Sequence, residues 1–305
     1  MARKLRIQYE DALYHVINRG NYRRDVFGTV GAAQAFEQVV LEACDWHGWR
    51  LHAHVVMSNH YHLAVATPRA NLVEGMHWLQ STFATRFNRL RQERGHLFQG
   101  RYQALLVEDA AALARVVDYI HLNPVRAGLI TPGKLGAYRW SSLPRFLQQG
   151  RPAALECAGW MRHHGWTDSP AGWRAYAAYL TDLATDEAEQ KRLGLEKLSA
   201  GWAIGTLAWR KKVATDHAHR ALSPGLEAGE LKEFKEAHWS QVLESGLKRA
   251  GKTARAGADS PGNAPWKLSL ARRLRQAGAG YAWITAALRM GKASSARAYL
   301  CQTKR

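Results

Sequence analysis

The stretch WRLHAHVVMSNHYHLAVAT, Trp49 to Thr67, decides the fold. Trp49 to Met57 and His60 to Thr67 read as two strands, and only Ser58-Asn59 stands between them, a tight hairpin turn. With a two-residue turn, Met57 pairs with His60 and Val55 with His62. Residues two apart on a strand share a face, so His60 and His62 point the same way. His52 and His54 then fall on the opposite face. A three-residue turn reverses this for His62, so the histidine arrangement depends on the register.

Outward from the hairpin, Leu13 to Arg19 alternates as a strand and stops at Gly20-Asn21. Residues 31–47 read as a helix, with Phe36, Val39, Val40, Ala43 and Cys44 at helical spacing. Asn71 can cap a second helix with the stripe Leu72, Met76, Leu79, Phe83, Phe87 and Leu90. Tyr102 to Glu108 is a short strand. Asp109 can cap a third helix, with Leu113, Val116, Val117 and Ile120 inward and an expected stop before Pro124. The order β-α-β-β-α-β-α predicts an α+β class: a ferredoxin-like antiparallel sheet with helices on one face, followed by a C-terminal all-helical extension.

The expected division is a core over 1–150, a helical and loop-rich extension over 151–265, and a helix-turn-helix-like segment over 266–305. Breaks are expected at Ser223-Pro224-Gly225 and Ser260-Pro261-Gly262.

The chain has 305 residues, 47% of them hydrophobic, and a formal net charge of +18. That charge points to a polyanionic partner, most often nucleic acid. A run of about 18 apolar residues is lacking, so a membrane role is not expected. The basic start leads into Ile7-Gln8-Tyr9-Glu10-Asp11, which is not the apolar core of a secretory signal. Cys44, Cys157 and Cys301 are odd in number and far apart, which disfavours disulfides and a cysteine zinc site. A cytoplasmic, nucleoid-associated bacterial location follows as the expectation.

Two features carry chemistry. His60-Tyr61-His62 offers two imidazoles on one face, half of a divalent-metal site. An isolated His-x-His is also compatible with two satisfied core histidines. Tyr119 and Asn123 stand four apart on one helix face, away from the stripe Val116, Val117 and Ile120. An edge-of-core tyrosine and a helix-ending asparagine fit the same spacing. Together the features suggest a site. A phenol titrates near pH 10, so roughly one in a thousand is ionised at neutral pH. Attack on a phosphodiester therefore needs charge neutralisation and orientation, which a metal on the phosphate supplies.

Four ordered stretches extend the pattern: Leu13-Tyr14-His15-Val16-Ile17-Asn18-Arg19-Gly20, Met57-Ser58-Asn59-His60-Tyr61-His62-Leu63, Gly95 to Tyr102, and Tyr119-Ile120-His121-Leu122-Asn123-Pro124-Val125-Arg126-Ala127-Gly128-Leu129. Trp140-Ser141-Ser142 closes the block. Over residues 3 to about 147 the chain resembles the REP-associated tyrosine transposases, relatives of the bacterial insertion-sequence transposases with a His-hydrophobe-His motif.

The resemblance implies a single-stranded DNA endonuclease and strand transferase. Tyr119 would be its nucleophile, His60 and His62 its metal ligands, and Asn123 a third ligand, with Mg²⁺ or Mn²⁺ as cofactor. It implies a 5′-phosphotyrosine intermediate and substrates beside palindromic hairpins. Single-stranded DNA and DNA hairpins are the expected partners, with the chain acting as a monomer or homodimer. Tyr61 stands where an apolar residue is more usual. Asp118 stands where an arginine commonly precedes the tyrosine, and is expected to weaken DNA affinity there.

Arg19, Arg101 and Arg126 lie in the matching motifs and are candidate phosphate contacts; ordinary solvated charge is the alternative. His15 reads as a structural core histidine. The helical pattern from Trp266 to Leu300 carries Arg272, Arg273, Lys292 and Arg297, a candidate second DNA-binding surface. Gly201-Trp202-Ala203-Ile204-Gly205 has no function derivable from its residues. Rival readings are a catalytically idle DNA-binding protein on the same fold, or a replication or conjugation initiator. The short chain disfavours the latter.

Overall fold

The computed structural model describes residues 6–148, 151–219, 231–253 and 260–301. Strands β1 (Ala12–Arg19), β2 (Arg50–Val56), β3 (His60–Thr67) and β4 (Gln103–Val107) alternate with helices α1 (Val30–His47), α2 (Leu72–Arg91) and α3 (Ala110–Arg126) in the expected order. A fifth strand, β5 (Ala203–Ile204), completes the sheet in the order β2-β3-β1-β4-β5.

The hairpin adopts the two-residue turn. Val55 pairs with His62, Val56 with Tyr61, and Met57 N–H donates to the His60 carbonyl at 2.8 Å. β1 lies between β3 and β4, antiparallel to both. β5, from the segment whose role the sequence left open, runs parallel to β4 and makes the sheet mixed. The outer edge of β2 is covered by bridges from Val55 to Ser141 and from Leu51 to Leu155, which satisfies backbone groups that would otherwise invite another strand.

The two faces of the sheet divide the helices. Tyr61 turns towards α1 and α2: its ring packs 4.5 Å from Phe36, and its hydroxyl accepts from Gln80 Nε2 at 3.0 Å. Phe27, Phe83 and Phe98 complete an aromatic cluster there. Such ring pairs add about 0.5–1.5 kcal/mol each beyond their buried area. Successive strand residues face opposite ways, so His60 and His62 look the other way, where Tyr119 of α3 meets His62. The two helices within the βαββαβ unit thus share one face, as expected, while α3 covers the other.

Local chemistry explains the helix limits and corrects two expectations. Asp109 caps α3 by accepting from Ala112 N–H at 2.8 Å. α3 does not stop before Pro124 but runs on to Arg126. A proline inside a helix costs roughly 3 kcal/mol; here Pro124 is buried, and Ala127 N–H still reaches the Asn123 carbonyl at 2.9 Å. Asn71 precedes α2 without a capping bond from its side chain. Its amide instead accepts from Trp49 Nε1 and donates to the His47 carbonyl, while Gln8 Oε1 accepts from Val73 N–H at 2.6 Å. Gly75 is required beneath the Trp49 ring, because a Cβ there would lie 2.1 Å from it.

The structure divides into two compact units, residues 3–206 and, chiefly, residues 207–305. The boundary expected near residue 150 therefore lies inside the first unit, because helices Ala158–His163 and Pro170–Thr185 pack on α3. In the second unit, Pro265–Gln276, Tyr281–Leu288 and Ala293–Cys301 enclose a small core of Leu270, Leu274, Ile284, Leu288 and Met290. Trp239 and Leu243, from helix Lys232–Arg249, pack against it. Ser260-Pro261-Gly262 precedes the first of these helices, as expected of a break. Ser223-Pro224-Gly225 lies outside the described residues. Among the described residues, no helix is long and apolar enough to cross a membrane.

Candidate metal and nucleophile site

Arg19 pairs with His60 and Ile17 with His62, which brings the end of β1 beside both histidines. The ring centroids of His60 and His62 are 5.2 Å apart. Tyr119, 8% exposed, places its ring 5.4 Å from that of His62 and 5.6 Å from that of His15. Tyr119 is thus turned into the sheet rather than away from a buried stripe. α3 is enclosed on both sides, by the sheet and by the helices of residues 158–185.

Hydrogen bonding fixes the tautomer of each imidazole. His15 Nδ1 lies 2.8 Å from the Leu198 carbonyl, which only accepts, so Nδ1 carries the proton. Neutral His15 then offers a lone pair at Nε2, and His62 Nδ1, 2.9 Å away, donates to it. That leaves a lone pair at His62 Nε2. On His60, Nδ1 faces Asn59 Oδ1 at 2.7 Å, while the Asn59 amide nitrogen donates to the Arg23 carbonyl at 3.4 Å. His60 Nδ1 is therefore the donor as well, and its Nε2 keeps a lone pair.

The environment holds all three rings neutral. Burial lowers His15 to about 4, against the opposing Leu198 hydrogen bond. Burial and then the Arg19 charge lower His60 to about 4, against a hydrogen bond with Asn123. His62 is pushed well below its ordinary value by burial, then by His15, His60, Arg19 and Arg126.

Two neutral imidazoles with lone pairs at Nε2 and the Asn123 amide, one helical turn below Tyr119, form a donor set suited to a divalent cation. Among the described residues, no group of three His, Cys, Asp or Glu side chains is arranged for a metal. The fit therefore depends on the amide.

Of the candidate phosphate contacts, Arg126 lies over the Tyr119 ring at 4.9 Å, and Arg19 is exposed beside His60. Arg101 is exposed in the loop after Phe98; Gln99 N–H of that loop donates to the Arg19 carbonyl. Arg272, Arg273, Lys292 and Arg297 are exposed on the second unit.

Asp118 does not sit beside the site as expected. It is fully buried on the far side of α3, accepting from the hydroxyls of Tyr176 at 3.0 Å and Tyr179 at 3.1 Å. Because Tyr176 donates to Asp118, its oxygen accepts from His121 Nδ1 at 2.8 Å, and His121 Nε2 accepts from Ser142 Oγ at 2.8 Å. This chain ties α3 to the helices behind it. The sequence signal for Asp118 was its place one residue before the tyrosine, which on a helix turns it roughly 100° away.

His54, on the face opposite His62 as the two-residue turn required, bonds Glu37 of α1 at 3.2 Å. His52 Nδ1 lies 3.1 Å from the Glu156 carbonyl.

A sequence model described as "Transposase IS200 like" matches residues 8–123. No curated protein sequence matches the chain. Among solved structures, a REP-associated tyrosine transposase bound to a REP hairpin is 16% identical, with 52% of this chain and 92% of that chain covered and a TM-score of 0.42. A candidate transposase from Deinococcus radiodurans R1 is 23% identical over 34% of this chain and 84% of that one, with a TM-score of 0.28. The stretch similar to the IS200-like transposase model, residues 8–123, includes His60, His62, Tyr119 and Asn123.

Proposed function

We propose that the chain is a metal-dependent single-stranded DNA endonuclease and strand transferase. One observation carries the reading: the Tyr119 ring packs against His62, whose Nε2 lone pair is left available by the His15 hydrogen bond. His60, His62 and Asn123 would hold Mg²⁺ or Mn²⁺. When bound, the cation would neutralise charge on the scissile phosphate.

The chain's own residues do the rest. The Tyr119 oxygen attacks phosphorus, and the bond to the 3′ oxygen breaks. The phenol proton passes to water, and the departing oxygen takes a proton to become a 3′ hydroxyl. A 5′-phosphotyrosine remains. Since one phosphodiester replaces another, a later 3′ hydroxyl can reverse the step without ATP. Arg126 over the Tyr119 ring and Arg19 beside His60 supply positive charge where the DNA backbone must approach. The motif resemblance supports palindromic hairpins as the flanking substrate.

The test is a denaturing gel of the protein with labelled single-stranded DNA from the repeats flanking its own gene, with and without Mn²⁺. A covalent band that requires metal and vanishes in Tyr119→Phe is expected. Hairpin binding without any band would favour a DNA-binding protein that has lost cleavage.

A further inference from the structure

Tyr22 is 91% exposed, more than any other large hydrophobic side chain among the described residues. It is also left-handed, at φ 53°, ψ 28°, and Arg23 follows at φ 58°. Glycine or asparagine is the ordinary occupant of such a position, and for a bulky side chain the conformation costs roughly 1–2 kcal/mol. With its ring in solvent, Tyr22 recovers none of that through packing within the chain.

The loop is nevertheless firmly held. Gly20 N–H donates to the Asn59 carbonyl at 2.7 Å, Asn21 N–H to Leu97 at 2.9 Å, and the Asn59 amide to the Arg23 carbonyl at 3.4 Å. Arg24 is paired with Glu93 at 2.6 Å. Gly20 is needed because a Cβ would lie 2.4 Å from the Arg24 carbonyl. Both ends of the loop are thus clamped on Asn59, the residue that orients His60. The loop thus holds its backbone next to the Arg19–His60 pair and presents an exposed aromatic ring on the same segment as the exposed Arg19 and Arg23.

We propose that Tyr22 is a base-stacking platform for single-stranded DNA: a nucleobase flanking the scissile phosphate lies on its ring while the neighbouring arginines meet the backbone. Every base has a π face, so the contact would tolerate sequence variation and would favour single strands, whose bases can leave the stack. The inference rests on the proposed function for the position of the scissile phosphate.

The test uses the full chain in a Tyr119→Phe background, so that binding is read without turnover. The probes are mixed-sequence single-stranded oligonucleotides with 2-aminopurine at one position at a time. Stacking should quench fluorescence at one position. Tyr22→Ala should abolish that quenching and weaken binding about five- to hundred-fold, the range of one lost base–aromatic stack. Tyr22→Trp should retain both. The salt dependence of binding should be unchanged, since no cation is removed. An unchanged quenching profile and affinity in Tyr22→Ala would overturn the inference, even where the wild-type chain forms its covalent adduct. Loss of quenching in Tyr22→Ala without any wild-type adduct would uphold base stacking and overturn the cleavage reading. No single-strand binding by any variant would overturn both.

Discussion

His15 Nε2 and His62 Nδ1 are 2.9 Å apart, joined across the β1–β3 pairing, and the far nitrogen of His15 is anchored on the Leu198 carbonyl 183 residues away. The anchor sets which nitrogen of His62 faces the candidate metal position. Partners that orient a ligating histidine typically contribute ten- to hundred-fold to metal affinity. His15→Ala should weaken Mn²⁺ binding by about that factor in isothermal titration calorimetry. His15→Gln, whose amide oxygen can accept from His62, should recover part of the loss. Unchanged affinity in His15→Ala, with the fold intact by circular dichroism, would remove His15 from the site.

Asp118 should matter for stability more than for DNA contact. Its carboxylate is buried beneath Tyr176, Tyr179 and His164, the last 3.3 Å away. Asp118→Ala leaves buried donors without an acceptor and should cost about 2–4 kcal/mol. Thermal unfolding should report this as a drop of several degrees. An equally stable Asp118→Ala protein would show that the network contributes little.

Glu37 gives the fold an acid-sensitive contribution. Burial alone would raise its pKa, but hydrogen bonds from His54 and Arg145 outweigh it and carry the group down to about 2. A depressed carboxyl stabilises the fold fully above its unfolded value near 4.3, and that contribution is lost as pH falls through about 2. At pH 7 wild type should exceed Glu37→Gln by roughly 2 kcal/mol in urea unfolding. The difference should shrink between pH 4.5 and 2 and vanish below. A constant difference over that window would contradict the linkage.

Arg19 and Arg126 can be separated from the metal site by salt. Each phosphate contact on a single strand contributes about 0.7 to the slope of log affinity against log salt. Arg19→Ala and Arg126→Ala should each flatten the slope by about that amount in fluorescence anisotropy. A slope unchanged in both would place the backbone elsewhere.

The hairpin from Trp49 to Thr67 was legible because strand geometry is local. A two-residue turn and a period of two place His60 beside His62 without reference to the rest of the chain. Asp109 as the α3 cap was legible for the same reason. The end of α3 was not, because proline's local preference was overridden by burial.

The amino-acid sequence by itself determined the order of elements, the shared face of the two histidines and the four-residue spacing of Tyr119 and Asn123. Only the tertiary structure decided that α3 crosses the histidine face, that Asp118 points into a network behind it, and that His15 joins His62 to Leu198. The physical reason is range. Backbone periodicity is set by neighbours a few residues apart. A buried hydrogen bond between residues 183 apart forms only once packing has excluded water and left each polar atom a single available partner.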